Sequence, residues 1–75
     1  MEKYKSEIIK ENELKIETDI YTVYSDDNND VKMYAVKLTH IATGLEVAIH
    51  TNKGHLYAYN IGLSKLEDKL KELRI

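Results

Sequence analysis

The hydrophobic pattern changes its period at Asn52-Lys53-Gly54, and that change limits the folds open to this chain. Upstream, Val36-Lys37-Leu38-Thr39-His40-Ile41-Ala42-Thr43-Gly44-Leu45-Glu46-Val47 places two apolar–polar alternations around a small-residue break, which reads as strand, turn, strand. Val36 and Leu38 share one face of the first strand, and Leu45, Val47 and Ile49 one face of the second, because side chains alternate along a strand. Gly44 supplies the backbone freedom of a tight reversal, and Thr43 can hydrogen-bond within it. Downstream, Leu56, Tyr59, Leu63, Leu66, Leu70 and Leu73 recur at steps of three and four, the stripe of an amphipathic helix over 54–73. About twenty residues at ~1.5 Å each span ~30 Å, enough to cross a small sheet diagonally. The same stripe suits a coiled-coil seam. Packing on the sheet is favoured, because the sheet otherwise has no cover.

Leu14 to Tyr24 adds another strand, with Leu14, Ile16 and Ile20 on one face and Lys15, Glu17 and Asp19 on the other. Tyr21 and Val23 fall opposite Ile20, which suggests a bulge or a strand covered on both sides near its end. Ser25 to Asp30 holds six polar residues and reads as a loop. Residues 1–12 are mostly charged and fit a short helix, an edge strand or a frayed end. The expected architecture is α+β: one domain over 1–75, an antiparallel sheet of about three strands (roughly 14–24, 31–41 and 45–51), and a helix (roughly 54–73) on one face.

Seventy-five residues lie near the lower limit for folding without staples, and the absence of cysteine excludes disulfides and thiolate chemistry. The opening Met1-Glu2-Lys3-Tyr4-Lys5 leads into no apolar run, so no signal peptide or membrane association is expected and a cytoplasmic location follows. A net charge of −2 argues against general affinity for nucleic acid, so no DNA partner is expected, though a local basic patch is compatible with it.

Chemistry-bearing patterns are sparse. Asp26-x-Asn28-x-Asp30 begins like a calcium loop, but Val31 stands where glycine is needed and Lys37 where a bidentate glutamate is needed. A solvated acidic turn is the plainer reading. His40 and His50, on adjacent strands, could approach one another and hold a metal with Glu46; partly buried imidazoles on a sheet face are the simpler account. His55 opens the helix, where a neutral imidazole is easier to accommodate than a charged one. Glycine occurs at 44, 54 and 62, with no phosphate-cradling loop. Six tyrosines invite a base-stacking surface, and Tyr34, Tyr57 and Tyr59 lie near Lys32, Lys37 and Lys53, although Tyr59 belongs to the apolar stripe. No cofactor, metal site or catalytic residue is expected.

The stretch from Ala35 to Val47 resembles the catalytic domain of the class-I peptide chain release factors and the related ribosome-rescue peptidyl-tRNA hydrolases. In that family a strand ending in Thr-His precedes a Pro-Thr-Gly turn and a second apolar strand. Here Thr39-His40 and Thr43-Gly44 match, with Ala42 in place of proline. The hydrophobic skeleton continues through Gly54 to Leu66, with Ala58 and Tyr59 in place of the family's Asn-Lys pair and Gly62 at its small alanine position. The small residue implies close helix–sheet contact, and the likeness covers about Leu14 to Leu73.

The loop departs from the family. Where release factors carry Gly-Gly-Gln, this chain has Ser25-Asp26-Asp27-Asn28-Asn29-Asp30, without glycine or glutamine. Its carboxylates would be repelled by ribosomal RNA phosphates. The family's basic tail has no counterpart up to Ile75, and hydrolysis is not expected. The resemblance implies a non-catalytic module acting on the ribosome or tRNA, with Lys32, Lys37, Lys53, His55 and Tyr57 as candidate contacts. The alternative is a protein–protein inhibitor or adaptor, phage-encoded for example, that presents Asp26, Asp27 and Asp30 to a basic protein patch.

Overall fold

The computed structural model describes residues 2–24 and 30–73. After a 3-10 turn at Glu11–Glu13 come β1 (Leu14–Tyr24), β2 (Asp30–His40), β3 (Glu46–Thr51) and α1 (His55–Leu73). The strands form one antiparallel sheet in the order β1-β2-β3. β1 and β2 pair without interruption from Leu14↔His40 to Tyr24↔Asp30, whereas β3 pairs β2 only from Tyr34↔Thr51 to Thr39↔Glu46. The β1–β2 ribbon therefore runs on past the third strand as a two-stranded arm. The molecule is correspondingly long, 48 × 23 × 19 Å.

Alternation makes Val36 and Leu38 of β2 and Val47 and Ile49 of β3 point to the same side of the sheet, and α1 packs there. The core joins Val36, Leu38 and Val47 to Ala58, Tyr59, Leu63, Leu66 and Leu70, with Leu38 and Leu66 fully out of water. The stripe thus lies on the sheet and is not left as a coiled-coil seam. Gly62 sets the spacing. A Cβ there would stand 3.2 Å from Leu38 Cδ1 and 3.3 Å from Ile49 Cγ1, so a larger side chain would push the helix off the sheet.

Two expectations need correction. Leu56 and Leu73, taken as ends of the stripe, are exposed, while Ala58 and Gly62 are buried: the contact face is rotated toward small residues that let the backbones approach. Tyr21 and Val23 do not mark a bulge or a strand covered twice. The register passes through them unbroken, and every residue of β1 after Leu14 is exposed. The cause is width: α1 packs on β2 and β3 and leaves β1 as an uncovered edge.

The N-terminal segment is neither helix nor strand between residues 2 and 10, yet it is tied down. Ser6 Oγ accepts from the amides of Ile8 (3.1 Å) and Ile9 (3.0 Å), a local turn that drives Ile9 into the core. Asn60 of α1 clamps the segment from above: its Oδ1 accepts from Tyr4 N at 2.7 Å and its Nδ2 donates to Glu2 O at 2.8 Å.

Candidate functional site

The Thr39-His40-x-x-Thr43-Gly44-Leu45 turn is built around one imidazole. His40 is buried at 7 % exposure, its Nδ1 is 2.9 Å from Thr43 Oγ1, and its Nε2 is 3.6 Å from a Glu13 carboxylate oxygen. Its backbone closes the reversal, with His40 N donating to Leu45 O at 2.7 Å and Gly44 N donating to His40 O at 2.8 Å. Gly44 takes φ +75°, the left-handed conformation that a side chain resists. Thr43 Oγ1 also accepts from Leu45 N at 3.3 Å. His40, Thr43, Gly44 and Leu45 each have a structural task, and the imidazole bridges the turn and the residue before β1.

A second cluster forms where α1 begins. Gly54, at φ +104°, turns the chain from β3 into the helix. Lys53 Nζ lies 4.8 Å from the centre of the Tyr57 ring, a cation–π contact on an exposed surface. His55 meets Tyr34 edge-to-face with ring centres 5.1 Å apart, and its Nε2 donates to Asp19 O at 3.0 Å. That bond places the proton on Nε2, because a carbonyl only accepts. Lys32 follows Tyr34 outward along the same face of β2, by strand alternation. The first turn of α1 carries no acidic residue, so the positive end of its dipole is not neutralised from within that turn. Lys53, His55 and Tyr57 are thereby gathered where β3 ends, with Lys32 just beyond on the base of the arm. Tyr34, not singled out as a contact in its own right, joins them; its signal was its position two residues from Lys32 on the same strand face.

Lys37 is elsewhere. It points to the open face of the sheet, where its Nζ pairs with Glu46 Oε2 at 3.3 Å. His40 and His50 do not approach one another, as the hairpin had suggested: His40 faces the helix side, whereas His50 is on the open face with its Nδ1 2.9 Å from Tyr21 Oη. Glu46 shares His50's face but is held by Lys37. Asp26 and Asp27 lie outside the described residues, and Asp30 is exposed at the end of the arm. The chain matches no family model, no curated protein and no solved structure. No helix among the described residues is long and apolar enough to cross a membrane.

A third group, outside the candidate residues, fastens the N-terminal segment to α1. Lys3 pairs with Glu11 and lies 4.9 Å from the Tyr59 ring centre. The hydrogen bond from Lys3, then its charge, holds the Glu11 carboxyl below its ordinary range, and the same bond raises the Lys3 ammonium. Burial is the main cause that pushes the Tyr59 hydroxyl up. Tyr4 is raised first by its hydrogen bond to the Glu67 carboxylate.

Proposed function

We propose that this chain is a non-catalytic, release-factor-like module that binds an RNA component of the translation apparatus through the start of α1. Support comes first from the extent of the sequence likeness, which runs in register from the Thr-His turn into the helix. The geometric observation that carries the reading is the cluster at the helix start: Lys53 stacked on Tyr57 beside a helix N-terminus with no carboxylate in its first turn. Such an end attracts phosphate through the dipole, the free amides and the lysine together. Tyr57 and Tyr34 add flat surfaces suited to unpaired bases. With no Gly-Gly-Gln in the chain, the reading is one of occupancy without ester hydrolysis.

Sedimentation with bacterial ribosomes tests it. The protein is expected to pellet at low salt and be released at high salt, and Lys53→Glu with Lys32→Glu should weaken binding roughly tenfold or more by replacing attraction to phosphates with repulsion. Lys37→Glu, on the other face, should change it little. Binding that is absent, or indifferent to Lys53 and Lys32, overturns the reading.

A second reading, a protein-binding adaptor, is favoured by the apolar arm. Tyr21, Val23 and Val31 are exposed together where β1 and β2 outrun β3, and Asp30 lies at the same end. Recovery of a stoichiometric, non-ribosomal protein that resists a high-salt wash would select it.

A further inference from the structure

We propose that the free edge of β1 is a pairing surface for a second copy of this chain, joined antiparallel about a two-fold axis at Ile20. The inference does not depend on the translation reading.

The direction of the backbone groups comes from three bonds. His40 N reaches Leu45 O toward β3, and Ile41 N reaches Glu13 O toward β1. Even-numbered residues of β2 therefore bond toward β3, and their partners in β1, also even-numbered, point their N–H and C=O groups away from the sheet. Ile20 agrees: its N–H is not spent on β2 but donates to Asp19 Oδ1 at 2.9 Å. An outward ladder thus runs along residues 16, 18, 20, 22 and 24. Two of the devices that blunt such an edge, proline and a bulge, are absent from β1, and its charges, Lys15, Glu17 and Asp19, all fall on the open face. The opposite edge differs: Lys69 Nζ donates to Glu46 O at 3.0 Å and begins to cover β3.

Charge selects the register. A two-fold axis at Thr18 sets Glu17 opposite Asp19 of the second copy, and an axis at Glu17 or Asp19 sets each carboxylate against itself, arrangements that cost free energy at directly opposed positions. An axis at Ile20 sets no like charges opposite one another, placing Asp19 across from Tyr21 and Glu17 across from Val23. It also gives the longest clash-free pairing, residues 16 to 24; an axis at Ile16 pairs only 14 to 18 and one at Tyr21 only 18 to 24. On the helix side it aligns Ile16 with Tyr24, Thr18 with Thr22 and Ile20 with itself. These apolar residues are 44 %, 78 % and 51 % exposed in the single chain. The two sheets become one of six strands, and Asp19, which now caps the Ile20 amide, gives that donor up to the carbonyl of Ile20 in the second copy.

Because the chain contains no cysteine, single cysteines report the register directly. Directly opposed strand residues lie ~5.5 Å apart at Cα, within disulfide range. Under mild oxidation Ile20→Cys should form a disulfide dimer, while Thr18→Cys and Thr22→Cys should cross-link only when mixed. Sedimentation equilibrium should show a concentration-dependent monomer–dimer transition, weakened at least tenfold by Ile20→Lys with unchanged circular dichroism. A chain monomeric at every concentration overturns the proposal. So does Thr18→Cys cross-linking alone as readily as Ile20→Cys.

Discussion

Two polar side chains among the described residues leave water when the chain packs, His40 and Glu67, and they are provided for unequally. His40 has a hydroxyl on one ring nitrogen and a carboxylate near the other. Glu67 receives the Tyr4 hydroxyl, but its Oε1 is buried without a partner among the described residues. A buried carboxylate oxygen without a donor is a standing cost. Glu67→Gln retains an acceptor for Tyr4 and removes the carboxylate that faces its hydroxyl. The Tyr4 phenol, raised chiefly by that carboxylate, should titrate closer to its ordinary value, which phenolate absorbance would detect. An unchanged titration would mean that Glu67 is not the group holding Tyr4. At this scale the sequence was readable where a local rule applied. Gly44 and Thr43 sit in a tight reversal, and Gly62 is small because the sheet is near. The His40–Glu13 approach was hidden, because it depends on the β1–β2 register bringing residues far apart in sequence side by side.

Among the elements, α1 divides the sheet into a covered part and an uncovered one. Leu38, on β2 beneath the helix, has no exposure, whereas Ile20 on β1 is 51 % exposed although it faces the same side. Leu38→Ala should therefore cost about 3 kcal/mol or more in urea unfolding, by lost transfer and by cavity. Ile20→Ala, measured in dilute solution, should cost under ~1 kcal/mol. Similar losses at both sites would mean that β1 is covered after all. Alternation in the sequence identified which residues of β1 share a face, but it cannot say whether that face meets a helix. The same limit shifted the ends of the helical stripe: Leu56 and Leu73 satisfy the period, yet both are exposed. The Lys37 placement is a matter of parity, one residue from the buried Val36 and hence on the opposite face from Lys32.

For the whole molecule, residues 2–10 are attached without a helix or strand of their own, held by Asn60 of α1, the Lys3–Glu11 pair and Ile9. The pH dependence of this attachment follows from the shifts. The Glu11 carboxyl is lowered, so its contribution is present at neutral pH and is lost as acid takes the solution through its depressed pKa, below the ordinary carboxylate range. Lys3, Tyr4 and Tyr59 are raised, so theirs is intact up to about pH 10 and is lost as pH climbs through their elevated values. The Ile9 methyl resonances should hold their docked positions across the neutral range and move at both extremes before the Leu38 and Leu66 resonances do. Movement of all three together would show that the segment and the core unfold as one.

The Asn60 clamp also has a consequence for synthesis. Sheet strands meet close neighbours in sequence and can pair as soon as they emerge, but Val36, Leu38 and Val47 have no roof until the chain has been extended through Leu70. At ~5–20 residues per second, roughly two to six seconds pass between the making of Leu38 and of Leu70. During that interval the nascent hairpin shows an oily face to the cell, and residues 2–10, made before α1, must wait for Asn60 before they can dock. Of the described elements, the one translated latest is the one that roofs the core.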